Sequence, residues 1–306
     1  MSTHPARRAK EVVVDVAATE TESPGLSRPV SYRTLQRMRL AGEKIACLTC
    51  YDATTARWLE RAGVPMLLVG DTAAEMILGL PGTIHAPLEF MIQITAAVKR
   101  GAPNCFVMGD MPFMSYQADP SQAMYNAARF LTEGFADAVK VEVNGRDLEL
   151  VSRFAHAGIP TVAHLGCRPQ QAKRLGGYAS AGRTSDEASS IVRDAIAMTK
   201  AGATMLLLEA MPGEVSQRVV ESVEVPVIGC GAGPACHGQV VVLHDLLGLS
   251  DWQPGFAPAA SDAGESLRRA GAEWVRRVRA SDLPAHSYEM TPDEAERFRQ
   301  STLRGQ

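Results

Sequence analysis

Apolar residues in this chain gather into short unbroken runs rather than alternating stripes. Met66–Val69, Cys105–Met108, Thr161–Ala163, Thr204–Leu208 and Pro226–Ile228 are such runs, and Ala138–Val141 is another, interrupted only by Lys140. Runs of this length without alternation predict strands buried on both faces. A glycine precedes five of them, at Gly63, Gly101, Gly134, Gly158 and Gly202, each at the end of a helical stretch. Glycine there reads as a helix C-cap in the left-handed conformation. Buried strands alternating with helices predict parallel βαβ units. With a first strand at Ile45–Thr49 and a last one near Val240–Leu243, the count reaches about eight, which predicts a single closed (β/α)8 TIM barrel, an α/β fold. An open doubly wound sheet is the competing arrangement. Against it, the first strand-to-helix turn, Thr49-Cys-Tyr-Asp-Ala53, carries no glycine fingerprint for a dinucleotide.

The flanks read differently from the barrel. Residues 1–30 are rich in Ser, Thr, Pro, Ala and charge, and predict a disordered arm. Tyr32–Leu40 predicts a short amphipathic helix with Ser31 as its N-cap. The barrel domain is expected over residues 31–290, and residues 291–306 form a C-terminal tail. Glu265–Arg279 has a helical pattern suited to packing on the barrel or on a neighbouring subunit.

Charge and cysteine usage narrow the function classes. The formal net charge is -3, and no basic stripe or arginine-rich run appears, which argues against nucleic acid as a partner. No stretch is apolar enough to span a bilayer. Arg7, Arg8 and Lys10 precede an apolar run that Glu11 and Asp15 interrupt, so the N-terminus does not read as a secretory signal. Cys47 and Cys50 form a C-x-x-C pair, a spacing used in redox and zinc sites. On a strand, however, positions three apart face opposite sides. The six scattered cysteines therefore read as structural thiols of a cytoplasmic protein.

Chemistry enters through position. Strand two ends in Val69-Gly-Asp71, strand three in Met108-Gly-Asp110, strand five in His164 and strand six in Glu209; strand four carries Lys140 and Glu142, and strand seven opens into Gly229-Cys-Gly-Ala-Gly233. In a barrel these C-terminal strand ends converge on one mouth, where barrel enzymes keep their chemistry. Four carboxylates at one mouth repel each other unless a cation or protons compensate. A hard divalent metal held by Asp71 and Asp110 is an economical answer. Asp71 alone also reads as a helix N-cap, His164 as a core histidine satisfied by backbone, and the glycine cluster as either a ligand cradle or a tight turn. Lys140, inside an apolar run, suits a substrate carboxylate. Glu209 follows four apolar residues, and a partly desolvated carboxylate there suits general-base work.

At these residues the chain resembles the ketopantoate hydroxymethyltransferase (3-methyl-2-oxobutanoate hydroxymethyltransferase) family. The matching segments run from Tyr32 to Tyr288 and include Leu48-Thr-Cys-Tyr-Asp52, Leu68-Val-Gly-Asp71, Asp110-Met-Pro-Phe-Met-Ser-Tyr116, Val139-Lys-Val-Glu142, His164-Leu-Gly166, Leu208-Glu209 and Pro226-Val-Ile-Gly-Cys-Gly-Ala-Gly233. The resemblance implies a barrel related to the phosphoenolpyruvate mutase and isocitrate lyase group, assembled as a homo-oligomer, usually a decamer. It implies Asp71 and Asp110 as Mg²⁺ ligands with Glu142 near the metal, Thr72 and Lys140 as substrate contacts, His164 lining the pocket and Glu209 as the catalytic base. The implied reaction moves a one-carbon unit from 5,10-methylenetetrahydrofolate to the Mg-bound enolate of a 2-oxo acid, giving 2-dehydropantoate in pantothenate biosynthesis. Several loops depart from the family pattern. Arg168 stands where a threonine is usual, and reads either as an extra carboxylate contact or as a solvated residue. Two alternatives accompany this reading: a diverged paralogue acting on another 2-oxo acid, and a metal-dependent carbon–carbon lyase of the same superfamily.

Overall fold

The computed structural model describes residues 25–284 and 288–302. The arm expected over residues 1–30 falls mostly outside them. Chain contacts divide the molecule after Ser261 into two compact units.

In the first unit, eight parallel strands close a barrel in sequence order. They are β1 Ile45–Thr49, β2 Met66–Val69, β3 Phe106–Asp110, β4 Ala138–Glu142, β5 Thr161–Gly166, β6 Met205–Glu209, β7 Val227–Cys230 and β8 Gly238–Val241. Because β1 pairs with both β2 and β8, no sheet edge remains, and the open sheet is excluded. β8 starts and ends two residues earlier than its apolar pattern suggests, and Leu243 instead opens a short helix, Leu243–Leu246.

Alternation along each strand builds two separate cores. Met66, Leu68, Phe106, Met108, Val162, Met205, Leu207 and Ile228 face the barrel axis in one buried cluster. Their neighbours in sequence, such as Leu67, Val107, Val139, Ala163, Leu206 and Val227, pack outward in the other, against the helices. Burying one such side chain fully contributes about 1.5–3 kcal/mol, so a one-residue slip of any strand would exchange the two sets at large cost. Cys47 lies in the inner core and Cys50 in the outer one. The C-x-x-C spacing therefore builds no shared site, and all six cysteines are free.

Local signals in the sequence act as expected at the start of the first helix. Ser31 caps Tyr32–Ala41, and Thr34 returns the bond in a capping box. The glycines preceding the strands divide into two kinds. Gly63, Gly158 and Gly202 have positive φ of 79°, 78° and 107°, as C-caps require. Gly101 and Gly134 do not. A Cβ on Gly101 would strike the backbone of Ala53 in a neighbouring helix, and one on Gly134 would lie 2.6 Å from the Phe130 carbonyl oxygen. Close approach, not backbone handedness, selects glycine at those two positions.

The second unit holds helix Ala263–Arg279, where the sequence predicted one, and a further helix, Pro292–Thr302. Leu267, Trp274, Val275 and Val278 share one face of the first helix by their spacing, and all four are exposed.

Candidate active site

Strand parity brings the chemical groups together. On β3, β4, β5 and β6 the residues Asp110, Lys140, Glu142, His164 and Glu209 occupy the same alternate positions as the axis-facing apolar residues below them. Register then sets their heights: Asp110 lies beside Lys140, Glu142 beside His164, and Glu209 beside Gly166. Asp71 follows β2 and completes the ring. All six charged or ionisable residues line one cavity of about 830 Å³, a volume ordinary for a small-molecule site.

Lys140 sits at the centre of the ring. Its Nζ is 3.0 Å from Asp110 Oδ1 and 3.2 Å from His164 Nδ1. Burial opposes its charge, but Asp110, Asp71 and Glu142 outweigh burial and hold its pKa above the ordinary lysine value. The charged ammonium donates to Nδ1, so the imidazole proton is assigned to Nε2. That nitrogen lies 3.2 Å from Glu209 Oε2, although the contact is not aligned as a hydrogen bond. Burial and the adjacent Lys140 lower the His164 pKa, which keeps the ring neutral. His164 is not satisfied by backbone: its ring nitrogens face Lys140 and Glu209.

The carboxylates differ in environment. Burial pushes Asp110 up to about 7, with Lys140 opposing. Burial likewise pushes Glu142 up to about 8, again opposed by Lys140. Glu209 is the most open of the ring carboxylates, its side chain 24% exposed. Asp71 is not a helix cap. The short helix Ala73–Met76 that follows it takes no side-chain cap. Asp71 Oδ2 instead accepts from Gln170 Nε2 at 2.9 Å, and its own N–H donates to Asp110 Oδ2 at 3.0 Å. Thr72 lines the cavity with its Oγ1 2.6 Å from the Tyr51 hydroxyl.

Comparison with known proteins places this barrel. The sequence model described as ketopantoate hydroxymethyltransferase matches residues 29–286. A 3-methyl-2-oxobutanoate hydroxymethyltransferase from Hyperthermus butylicus is 42% identical over 83% of this chain and 88% of its own length. One from Carboxydothermus hydrogenoformans is 40% identical over 88% of this chain and 99% of its own. The chain belongs to the ketopantoate hydroxymethyltransferase family. Among solved structures, a phosphonopyruvate hydrolase has a TM-score of 0.56 at 13% identity, covering 90% of this chain and 98% of its own. An oxaloacetate acetylhydrolase has 0.55 at 15%, covering 87% and 93%. At those identities the likeness is one of fold.

For a member of the ketopantoate hydroxymethyltransferase family, the donor set suits a hard cation. Asp71, Asp110 and Glu142 offer only carboxylate oxygens, and three buried carboxylates face a single lysine. Asp110 Oδ1 is buried and makes no aligned hydrogen bond. Among the described residues no three His, Cys, Asp or Glu side chains form a ready cage for a metal ion. Mg²⁺ needs none, because it is typically bound through one or two carboxylates with water and substrate oxygens completing its shell.

Loops add residues that strand-end reasoning missed. Gln170, buried on the turn Pro169–Gln171 after β5, bonds to Asp71 and, through its N–H, to both Glu142 carboxylate oxygens at 3.2 Å. The Tyr116 hydroxyl donates to Gln170 Oε1 at 2.9 Å. Arg168, two residues before Gln170, is not among the cavity-lining residues. Trp252, Phe256 and Tyr178 are exposed aromatic residues at the cavity. The glycine cluster after β7 serves this rim: Gly231 has φ of 60°, and a Cβ there would lie 2.9 Å from the Phe256 ring.

Proposed function

We propose that this chain acts as a 3-methyl-2-oxobutanoate hydroxymethyltransferase, transferring a one-carbon unit from 5,10-methylenetetrahydrofolate to the carbon beside the carbonyl of a 2-oxo acid. The observation that carries the reading is the arrangement of one cavity: a hard-oxygen cluster and a buried ammonium at its floor, with a more open carboxylate, Glu209, reached through His164.

Asp71 and Asp110, with Glu142 beside them, would hold Mg²⁺ or another divalent metal. When bound, such a metal supplies Lewis-acid polarisation of the 2-oxo group. Lys140 attracts the substrate carboxylate, and the Thr72 hydroxyl, oriented by Tyr51, gives a second polar contact. Glu209 takes the proton from the carbon next to the carbonyl. Neutral His164 holds the Nε2 proton toward Glu209 and, through Nδ1, fixes Lys140. The enolate carbon then forms the C–C bond to the donor's methylene carbon; water supplies the hydroxyl oxygen, both C–N bonds of the donor break, and tetrahydrofolate leaves. Preorganised charge contributes most, because a C–H beside a ketone is otherwise a weak acid.

A branched five-carbon acid fills only a small part of a cavity of about 830 Å³. We assign the remainder, rimmed by Trp252, Phe256 and Tyr178, to the flat rings of the folate. The absence of nucleic-acid signals, cytoplasmic location and homo-oligomeric assembly belong to the same reading. No helix among the described residues is long and apolar enough to cross a membrane.

The test is product formation. Purified protein with 3-methyl-2-oxobutanoate, methylenetetrahydrofolate and Mg²⁺ should form 2-dehydropantoate, and omission of any one component should abolish it. Trp252→Ala should raise the KM for the folate about tenfold, as expected for a lost aromatic stack of about 1–3 kcal/mol, with little effect on the KM of the oxo acid. Folded wild-type protein that forms no product from this acid would defeat the assignment.

A further inference from the structure

Gln170 has an unusually complete set of partners for a loop side chain. It is 5% exposed. Its Nε2 donates to Asp71 Oδ2 at 2.9 Å and to the Met111 carbonyl oxygen at 3.0 Å. Its Oε1 accepts from the Tyr116 hydroxyl at 2.9 Å and from Gln117 Nε2 at 3.0 Å. Its backbone N–H points at both Glu142 carboxylate oxygens. An amide has two donors and one two-acceptor oxygen, so every valence of this side chain is used. The partners also fix which way the amide faces, since two acceptors lie on the nitrogen side and two donors on the oxygen side. One residue thus ties the ends of β2, β3 and β4 to the turn after β5.

Neither an apolar side chain nor a glutamate reproduces this pattern. The first holds nothing, and the carboxylate of the second would face Asp71 Oδ2 with no hydrogen to give. The bond to Oδ2 fixes the rotation of the Asp71 carboxylate and still leaves lone pairs on its oxygens for a cation. From this geometry we infer that Gln170 is a positioning residue for the divalent cation, holding Asp71 by its side chain and Glu142 by its backbone in the orientation that binds the ion. The inference rests on the metal-assisted reading of the site given above. It assigns Gln170 no contact with the substrate.

Calorimetric titration with Mg²⁺ alone tests it. Gln170→Leu removes all four side-chain bonds. Gln117→Leu removes a bond on the oxygen side and leaves both Nε2 donations intact. A positioning residue of this kind is worth roughly ten- to a hundredfold in metal affinity. The expected result is that Gln170→Leu weakens Mg²⁺ binding within that range, whereas Gln117→Leu weakens it only slightly. At saturating Mg²⁺, turnover by Gln170→Leu should recover much of the wild-type kcat, the defect lying in the metal concentration needed. Should circular dichroism show that Gln170→Leu does not fold, Gln170→Asn is the variant to read; it keeps the amide but is one methylene too short to span the same partners. Wild-type affinity in the folded Gln170 variant overturns the inference. Equal losses in Gln170→Leu and Gln117→Leu also overturn it, because a simple loop staple behaves that way. Wild-type protein that takes up no Mg²⁺ overturns the metal-assisted reading itself, which separates the two failures.

Discussion

Burial of two carboxylates beside one lysine makes the site sensitive to pH in a direction that can be worked out. Glu142 has a pKa of about 8 against an ordinary 4.5, and Asp110 about 7 against 3.8. Each binds its proton more tightly in the folded protein than in the unfolded chain. Their contribution to stability is therefore fully present below the ordinary value and is lost as pH rises through the raised one. Metal-free protein should lose thermal stability between pH 3.8 and about 8. Mg²⁺ takes the place of those protons, so its affinity should rise over the same interval with protons released on binding. Scanning calorimetry with and without Mg²⁺ checks both. A melting temperature indifferent to pH in the metal-free protein would contradict the burial argument. At this scale the sequence already pointed to Asp71, Asp110, Lys140, Glu142, His164 and Glu209, because each follows or interrupts an apolar run; parity aims all of them but Asp71 at the axis. Gln170, Tyr116 and Trp252 lie in loops, where no period ties a side chain to a direction. Their part in the site was readable only once the fold had brought them to it.

The βα units hold these residues through backbone contacts as much as side-chain packing. Gly166, at the end of β5, has φ of 101°, and a Cβ there would collide with the carbonyl oxygen of Glu209 on β6. Gly166→Ala should cost about 1–3 kcal/mol from backbone strain alone. It should also lower turnover by moving the β6 end that carries Glu209. Urea unfolding and steady-state kinetics would show this; an alanine variant with unchanged stability and turnover would contradict the close fit of the two strand ends. Element order followed from apolar runs, but β8 was displaced by two residues. Only half of it is buried, with Gln239 exposed, so its apolar signal is weak. Gly101 and Gly134 were misread for a related reason: a glycine at a helix end looks the same in sequence whether it turns the chain or lies against backbone packed too close for a Cβ.

For the molecule as a whole, the helix Ala263–Arg279 presents Leu267, Trp274, Val275 and Val278 to solvent. An apolar stripe of this kind on a charged helix is an expected contact surface between subunits. Light scattering should show a homo-oligomer, and Leu267→Glu with Trp274→Glu should reduce its size; a wild-type monomer would contradict the assembly reading. The central claim, however, is that the barrel mouth makes a carbon acid ionise, with Glu209 as the base. Deuterium exchange at C3 of 3-methyl-2-oxobutanoate, followed by NMR in deuterated water with Mg²⁺ and no folate, isolates that step. The account predicts exchange by wild-type protein and a loss of roughly 10²–10⁴-fold in Glu209→Gln, at nearly unchanged Mg²⁺ affinity. No exchange by folded, metal-loaded wild-type protein, or equal exchange by the Glu209→Gln variant, would contradict it.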